Sequence, residues 1–280
     1  MKLITVATHN DGYFKWLKES CKRYNYDLVI LGYNEKWKGF NLRLELMINY
    51  LKSLNDNEII CFIDAYDIIM LNDSVEMKNK FIELQKKKNC KMIISLEIQN
   101  TIDYLASIWK FGMNINAGSY IGYKKDILYL LNKATEINNK PEGDDQELMV
   151  QLYNKYKNDI YIDSNHELFL PIKLSPVNRN SVLEIDGIKV YNNELYYNNK
   201  RPFLLHVPFN GQMDDIIKSL GYELTDEEIE KINKKSKEML LNKFKHHISH
   251  PKNIYTILFI ITIIISIFYM LIEKHLLRKL

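Results

Sequence analysis

Apolar residues near the start of the chain fall into short unbroken runs. Between these runs they recur every three or four positions. Residues 2–7 are rich in Ile, Leu and Val and read as a buried strand. Phe14, Leu17 and Cys21 stand at i, i+3 and i+7, which predicts an amphipathic helix over 13–24. Residues 27–32 form a second strand pattern. Leu42, Leu46 and Leu51 put a second helix over 42–54, and Ile59 to Ile63 is an uninterrupted apolar third strand. The β-α-β-α-β order predicts an α/β fold with right-handed crossovers and ligands at the carboxyl ends of the strands, here residues 7–8, 32 and 64.

The pattern continues with a charged helix over 76–88 and a strand over 91–97. Residues 114–123 turn into a further strand, whose small residues Ala117, Gly118 and Ser119 would let a ligand approach the backbone. A helix over 126–137 precedes an acidic stretch, 142–147, and a helical run, 148–156. Residues 159–163 read as a strand, 183–191 and 194–197 as a hairpin about Asn192-Asn193, and 202–207 as a last strand ending at His206.

Residues 254–272 contain no charge over 19 positions, near the ~20 needed to span a bilayer. They predict a C-terminal transmembrane helix, hence a single-pass membrane protein. The expected layout is a catalytic domain over 1–221, a charged helical and basic segment over 222–253, the span over 254–272 and a short basic tail over 273–280. Lys234, Lys235, Lys237, Lys243 and Lys245 flank the span, and residues 1–8 read as a strand rather than a signal peptide. Both place the catalytic domain in the cytosol by this reading. His246, His247 and His250 read as solvated juxtamembrane residues.

Composition changes this picture little. With 280 residues, 46% hydrophobic and 26% charged, the chain can bury a sizeable core. A net charge of +3 argues against nucleic acid as a partner. Cys21, Cys61 and Cys90 fit no zinc spacing. No GxGxxG or Walker pattern is present, so neither a dehydrogenase nor a P-loop enzyme is supported.

The stretch that carries candidate chemistry is Cys61 to Asn72, CFIDAYDIIMLN. Asp64 and Asp67 interrupt two apolar runs. A strand end with two carboxylates can hold a divalent cation, and through it a diphosphate. The same residues can equally be a strand terminus and a helix cap. Spacing alone leaves both readings open.

Six segments in order, VATHNDGYFKWLKES, LGYNEKW, FIDAYDIIML, NAGSYIGY, DDQELM and LLHVPFNG, resemble the glycosyltransferase domain of procollagen lysyl hydroxylases. The resemblance covers roughly residues 2–211. It implies a GT-A fold, a mixed and mainly parallel sheet flanked by helices, and a UDP-sugar donor with Mn²⁺. It maps metal ligands to Asp64, Asp67 and His206, with Asp64 also facing the donor. It places Val6, Ala7 and Thr8 at the uridine, and Trp37 near the nucleotide or acceptor. Arg43 stands near the position of the family's helix-opening Lys, beside the diphosphate, which Asn210 and Gly211 would clamp. It maps Asp144 and Asp145 to the sugar or the acceptor hydroxyl, as orienting groups or general base. The final motif departs from the family's His-x-Asn-Gly-basic pattern: His206 to Gly211 is two residues longer, and Gln212 follows.

The implied activity is hexose transfer, of glucose or galactose, to a protein or glycan hydroxyl, including hydroxylysine of a collagen-like protein. Two other classes compete with it: a UDP-sugar-binding protein of the same fold with impaired catalysis, and a metal-dependent phosphohydrolase using the Asp pair.

Overall fold

The computed structural model describes residues 1–98, 114–137, 145–174, 181–208 and 211–249. Residues 1–226 form one compact unit, and the remainder a second.

In the first unit β1 (Lys2–Val6), β2 (Leu28–Leu31) and β3 (Ile59–Ile63) are mutually parallel, with β1 between the other two. The helices α1 (Phe14–Arg23) and α2 (Phe40–Leu51) make the two crossovers. After the short β4 (Ile68–Met70) and helix α3 (Ser74–Lys88) come β5 (Met92–Leu96) and β6 (Ile115–Tyr123). Helices α4 (Lys124–Ile137) and α5 (Asp145–Tyr156) lead to β7 (Ile160–Asp163). The large sheet has the order β2-β1-β3-β6-β5-β7, and β6 runs antiparallel to both neighbours. The sheet is therefore mixed and mainly parallel.

Alternation along the strands splits the core into two layers. Leu3, Cys61 and Ile63 join Phe14 and Leu17 of α1 and Phe81 of α3 on one face. Ile4, Ile60 and Phe62 join Met47 and Leu51 of α2, Leu130 of α4 and Val150 of α5 on the other. The result is a helix–sheet–helix sandwich with buried strands. Helix α3 has clear end signals: Asp73 accepts from Val75 N at 2.7 Å, and Asn89 closes the helix with φ 48°.

A second sheet has the order β4-β11-β8, with β8 (Phe169–Pro171) parallel and β4 antiparallel to β11 (Leu204–His206). The predicted hairpin is β9 (Ile188–Tyr191) and β10 (Glu194–Tyr197). Asn192 and Asn193 both take positive φ, as a two-residue type I′ turn demands. Residues 183 and 184, expected as strand, belong instead to a short 3₁₀ helix, Val182–Glu184, capped by Ser181.

Helix α6 (Asp214–Ser219) closes the first unit, and α7 (Asp226–Ser249) carries the charged run. The expected single-pass membrane anchoring is corrected. Among the described residues no helix is long and apolar enough to cross a membrane, and residues 254–272 lie outside the described residues. The cytosolic placement, which took that span as its membrane anchor, falls with it.

Candidate functional site

Strand register builds the site. His206 is the last residue of β11 and lies opposite Ile68 of β4. Val207 donates its N–H to Asp67 O at 2.9 Å, which holds the turn between β3 and β4 against the end of β11. His206 Nε2 consequently lies 3.2 Å from Asp67 Oδ1 and 3.7 Å from Asp64 Oδ2. One ligand atom from each of the three residues falls within a 4.8 Å cluster, the one such group of three or more among the described residues.

The fit to a divalent cation follows from what these atoms lack. His206 is 1% exposed, and both its ring nitrogens are buried without a hydrogen-bond partner among the described residues. The 3.2 Å approach to Asp67 is an ion-pair distance without hydrogen-bond angles. Burial opposes charge on the imidazole, but Asp67 and then Asp64 outweigh it and raise its pKa above the ordinary value. Two carboxylates and one imidazole make a donor set for a hard or borderline divalent ion such as Mn²⁺.

Gly118 makes room for the cluster. In the β5–β6 pairing the register shifts between Ile94, opposite Tyr120, and Ser95, opposite Asn116, so residues 117–119 bow out of that ladder. Asp64 N donates to Gly118 O at 2.8 Å. A Cβ on Gly118 would lie 2.4 Å from His206 Cε1 and 2.5 Å from Asp64 Oδ2. The small residues flagged in the sequence thus abut the carboxylate–imidazole cluster.

Arg43 links this cluster to α5. Its Nη2 stands 3.0 Å from Asp64 Oδ1, and its Nη1 donates to Asp145 Oδ2. The side chain is 19% exposed. With Asp145 it lines an apolar pocket that includes Phe40, Met47, Phe62 and Tyr120. Burial works against the guanidinium, but Asp64 and Asp145 hold its pKa above the usual value. Gln146 fixes the start of α5: its Oε1 accepts from Ala117 N at 2.9 Å, and its Nε2 donates to Ile115 O.

The first strand end is tied to the same turn. Val6 and Ala7 are buried, and Thr8 donates its N–H to Tyr66 Oη at 2.9 Å. His9 stacks on the Tyr66 ring at 4.4 Å between centroids. Tyr66 was passed over in the sequence; its position between Asp64 and Asp67 was the available signal. Trp37 is 43% exposed and meets Phe40 edge-on at 5.6 Å. Gly211 packs tightly, since a Cβ there would lie 2.3 Å from Val207 Cγ1. Asp144 and Asn210 lie outside the described residues.

The family model described as PLOD GT domain matches residues 1–232. A multifunctional procollagen lysine hydroxylase and glycosyltransferase of Caenorhabditis elegans is 26% identical over 224 residues, covering 73% of this chain and 30% of its own length. The protein R699 of Acanthamoeba polyphaga mimivirus is 25% identical over 238 residues, or 80% of this chain and 49% of that protein. The chain thus spans less than half the length of these relatives. Among solved structures, a glycosyltransferase involved in glycosylation of the major capsid of PBCV-1 aligns over 78% of this chain and 97% of its own, with 11% identity and a TM-score of 0.45.

Proposed function

Because the chain belongs to the PLOD GT domain family, we propose that it is a metal-dependent glycosyltransferase that moves glucose or galactose from a UDP-sugar to a hydroxyl acceptor, hydroxylysine of a collagen-like protein among them. The observation that carries the reading is the convergence of Asp64, Asp67 and a buried His206 at one strand end. A bound Mn²⁺ would neutralise the diphosphate and stabilise the departing UDP.

The chain's own residues divide the work around it. Asp64, Asp67 and His206 hold the ion. Val6, Ala7 and Thr8 shape the base side, and Trp37 offers an exposed ring at the rim. Gly211, with the neighbouring Asn210 of the motif, would clamp the diphosphate, as the family resemblance implies. Asp145, and Asp144 by the resemblance, would serve the sugar or the acceptor hydroxyl as an orienting group or base. Arg43 stands between the ion's carboxylate and Asp145.

The test is a panel of UDP-sugars with Mn²⁺, read as UDP release and sugar transfer by the 280-residue chain and by its Asp64→Ala and Asp67→Ala variants. Mn²⁺-dependent release lost in both variants is expected; full activity in both would sink the site. The longer His206-to-Gly211 segment favours a second reading, a binder without turnover. Calorimetric UDP binding with no turnover on any donor would select it.

A further inference from the structure

Asp64 presents its two carboxylate oxygens to different partners. Oδ1 is ion-paired with Arg43 Nη2 at 3.0 Å, without hydrogen-bond angles, and has no hydrogen-bond partner among the described residues. Oδ2 faces the centre, 3.7 Å from His206 Nε2 and next to Gly118. The guanidinium has little freedom to leave. Its Nη1 is bonded to Asp145, and its carbon lies 5.3 Å from the Phe40 ring centroid and 5.4 Å from that of Phe62. A planar fork between two carboxylates and two aromatic rings keeps its orientation as a lysine ammonium would not.

We propose that Arg43 sets the cation preference of the centre by restricting Asp64 to one-oxygen ligation. The inference rests on the reading of Asp64, Asp67 and His206 as a metal centre. Ca²⁺ takes six to eight oxygens and commonly uses carboxylates through both. Smaller divalent ions favour octahedral sites with single-oxygen carboxylate ligands. With Oδ1 drawn toward Arg43 by this ion pair, turning it to the cation as a second ligand would forfeit the pairing. The centre therefore discriminates against Ca²⁺ through a residue that is not itself a ligand, which makes Arg43 a specificity-determining positioning residue.

The test is a ratio, because removing a positive charge or loosening the fold alters the affinity of every divalent ion in the same direction. Mn²⁺ and Ca²⁺ are titrated separately into the full chain by calorimetry, with and without UDP, for the wild type, Arg43→Met and Arg43→Lys. Circular dichroism confirms folding. The Ca²⁺-to-Mn²⁺ affinity ratio is expected to rise about tenfold in Arg43→Met, where Asp64 is free to turn both oxygens inward. It should rise less in Arg43→Lys, whose ammonium can hold one carboxylate but not fork between two. If Arg43→Met does not fold, Arg43→Lys carries the test. A ratio within about twofold of wild type in every folded variant overturns the inference and leaves the metal centre standing. Failure of the wild-type chain to bind Mn²⁺ under either condition instead sinks the metal centre itself.

Discussion

Asp64 and Gly118 are joined by their backbones, N–H to carbonyl at 2.8 Å, and the missing side chain of Gly118 is the space into which the Asp64 carboxylate turns. Gly118 does not take a positive φ, so its requirement is steric rather than conformational. Gly118→Ala should cost ~1–3 kcal/mol through overpacking. It should also weaken Mn²⁺ binding more than its stability loss explains, because the methyl would displace both Asp64 Oδ2 and His206 Cε1. Urea unfolding paired with Mn²⁺ titration checks this; normal Mn²⁺ affinity in a folded variant would contradict it.

Gln146 uses both ends of its amide, one accepting from Ala117 N and one donating to Ile115 O. Gln146→Glu keeps an acceptor but sets an oxygen against the Ile115 carbonyl. A destabilisation of ~1–3 kcal/mol is expected, the usual cost of an unpaired buried group. Denaturant unfolding measures it. Donor turnover should fall as well, since Asp145 opens the helix that this amide anchors.

Tyr13 lies far in sequence from His206 but supports the strand that His206 ends. Its hydroxyl accepts from Met213 N at 2.9 Å and donates to Asp214 Oδ1 at 2.7 Å, tying α1 to the segment that follows β11. Tyr13→Phe leaves the buried Met213 N–H without this partner. The expected loss is ~1–3 kcal/mol, read as a lowered urea midpoint with an unchanged slope.

The sequence shows most of the large sheet, and the reason is visible in Ile59 to Ile63. An unbroken apolar strand buried on both faces leaves no ambiguity about its environment. The antiparallel course of β6 was not legible, because Ile115 to Tyr123 carries no mark of direction. Strand β8 was missed for a related reason: three residues, Phe169 to Pro171, are too few to show a period. The Asp pair was legible as a candidate and undecided as chemistry. What distinguishes a centre from a cap is the distance to His206, and that distance depends on the β4–β11 pairing, which joins chain segments far apart. The Arg43 fork was equally hidden, since its two carboxylates come from β3's end and α5.

His166 is one source of acid sensitivity in the fold. It is buried with φ 49°, and its Nδ1 lies 3.2 Å from Phe169 O. Burial is the main cause of its lowered pKa, so the folded state resists its protonation. Its contribution is thus present above the ordinary value of 6.5 and is lost as pH falls through the lowered folded value. His166→Asn keeps a residue tolerant of positive φ and removes the titration. The drop in melting temperature between about pH 8 and 5 should be smaller in this variant than in wild type; an identical drop would rule His166 out as a source.

The three candidate ligands belong to different parts of the architecture. Asp64 follows the last residue of a strand in the large sheet, Asp67 precedes β4, and His206 ends the central strand of the small sheet. An ion held by all three would therefore be a rivet between two sheets as well as a reagent. It would join at one point chain segments that fold far apart in sequence, making them a single cooperative unit. Stripping it would cost rigidity at the seam along with the chemistry, and the structural sign would be faster amide exchange at the ends of β3 and β11.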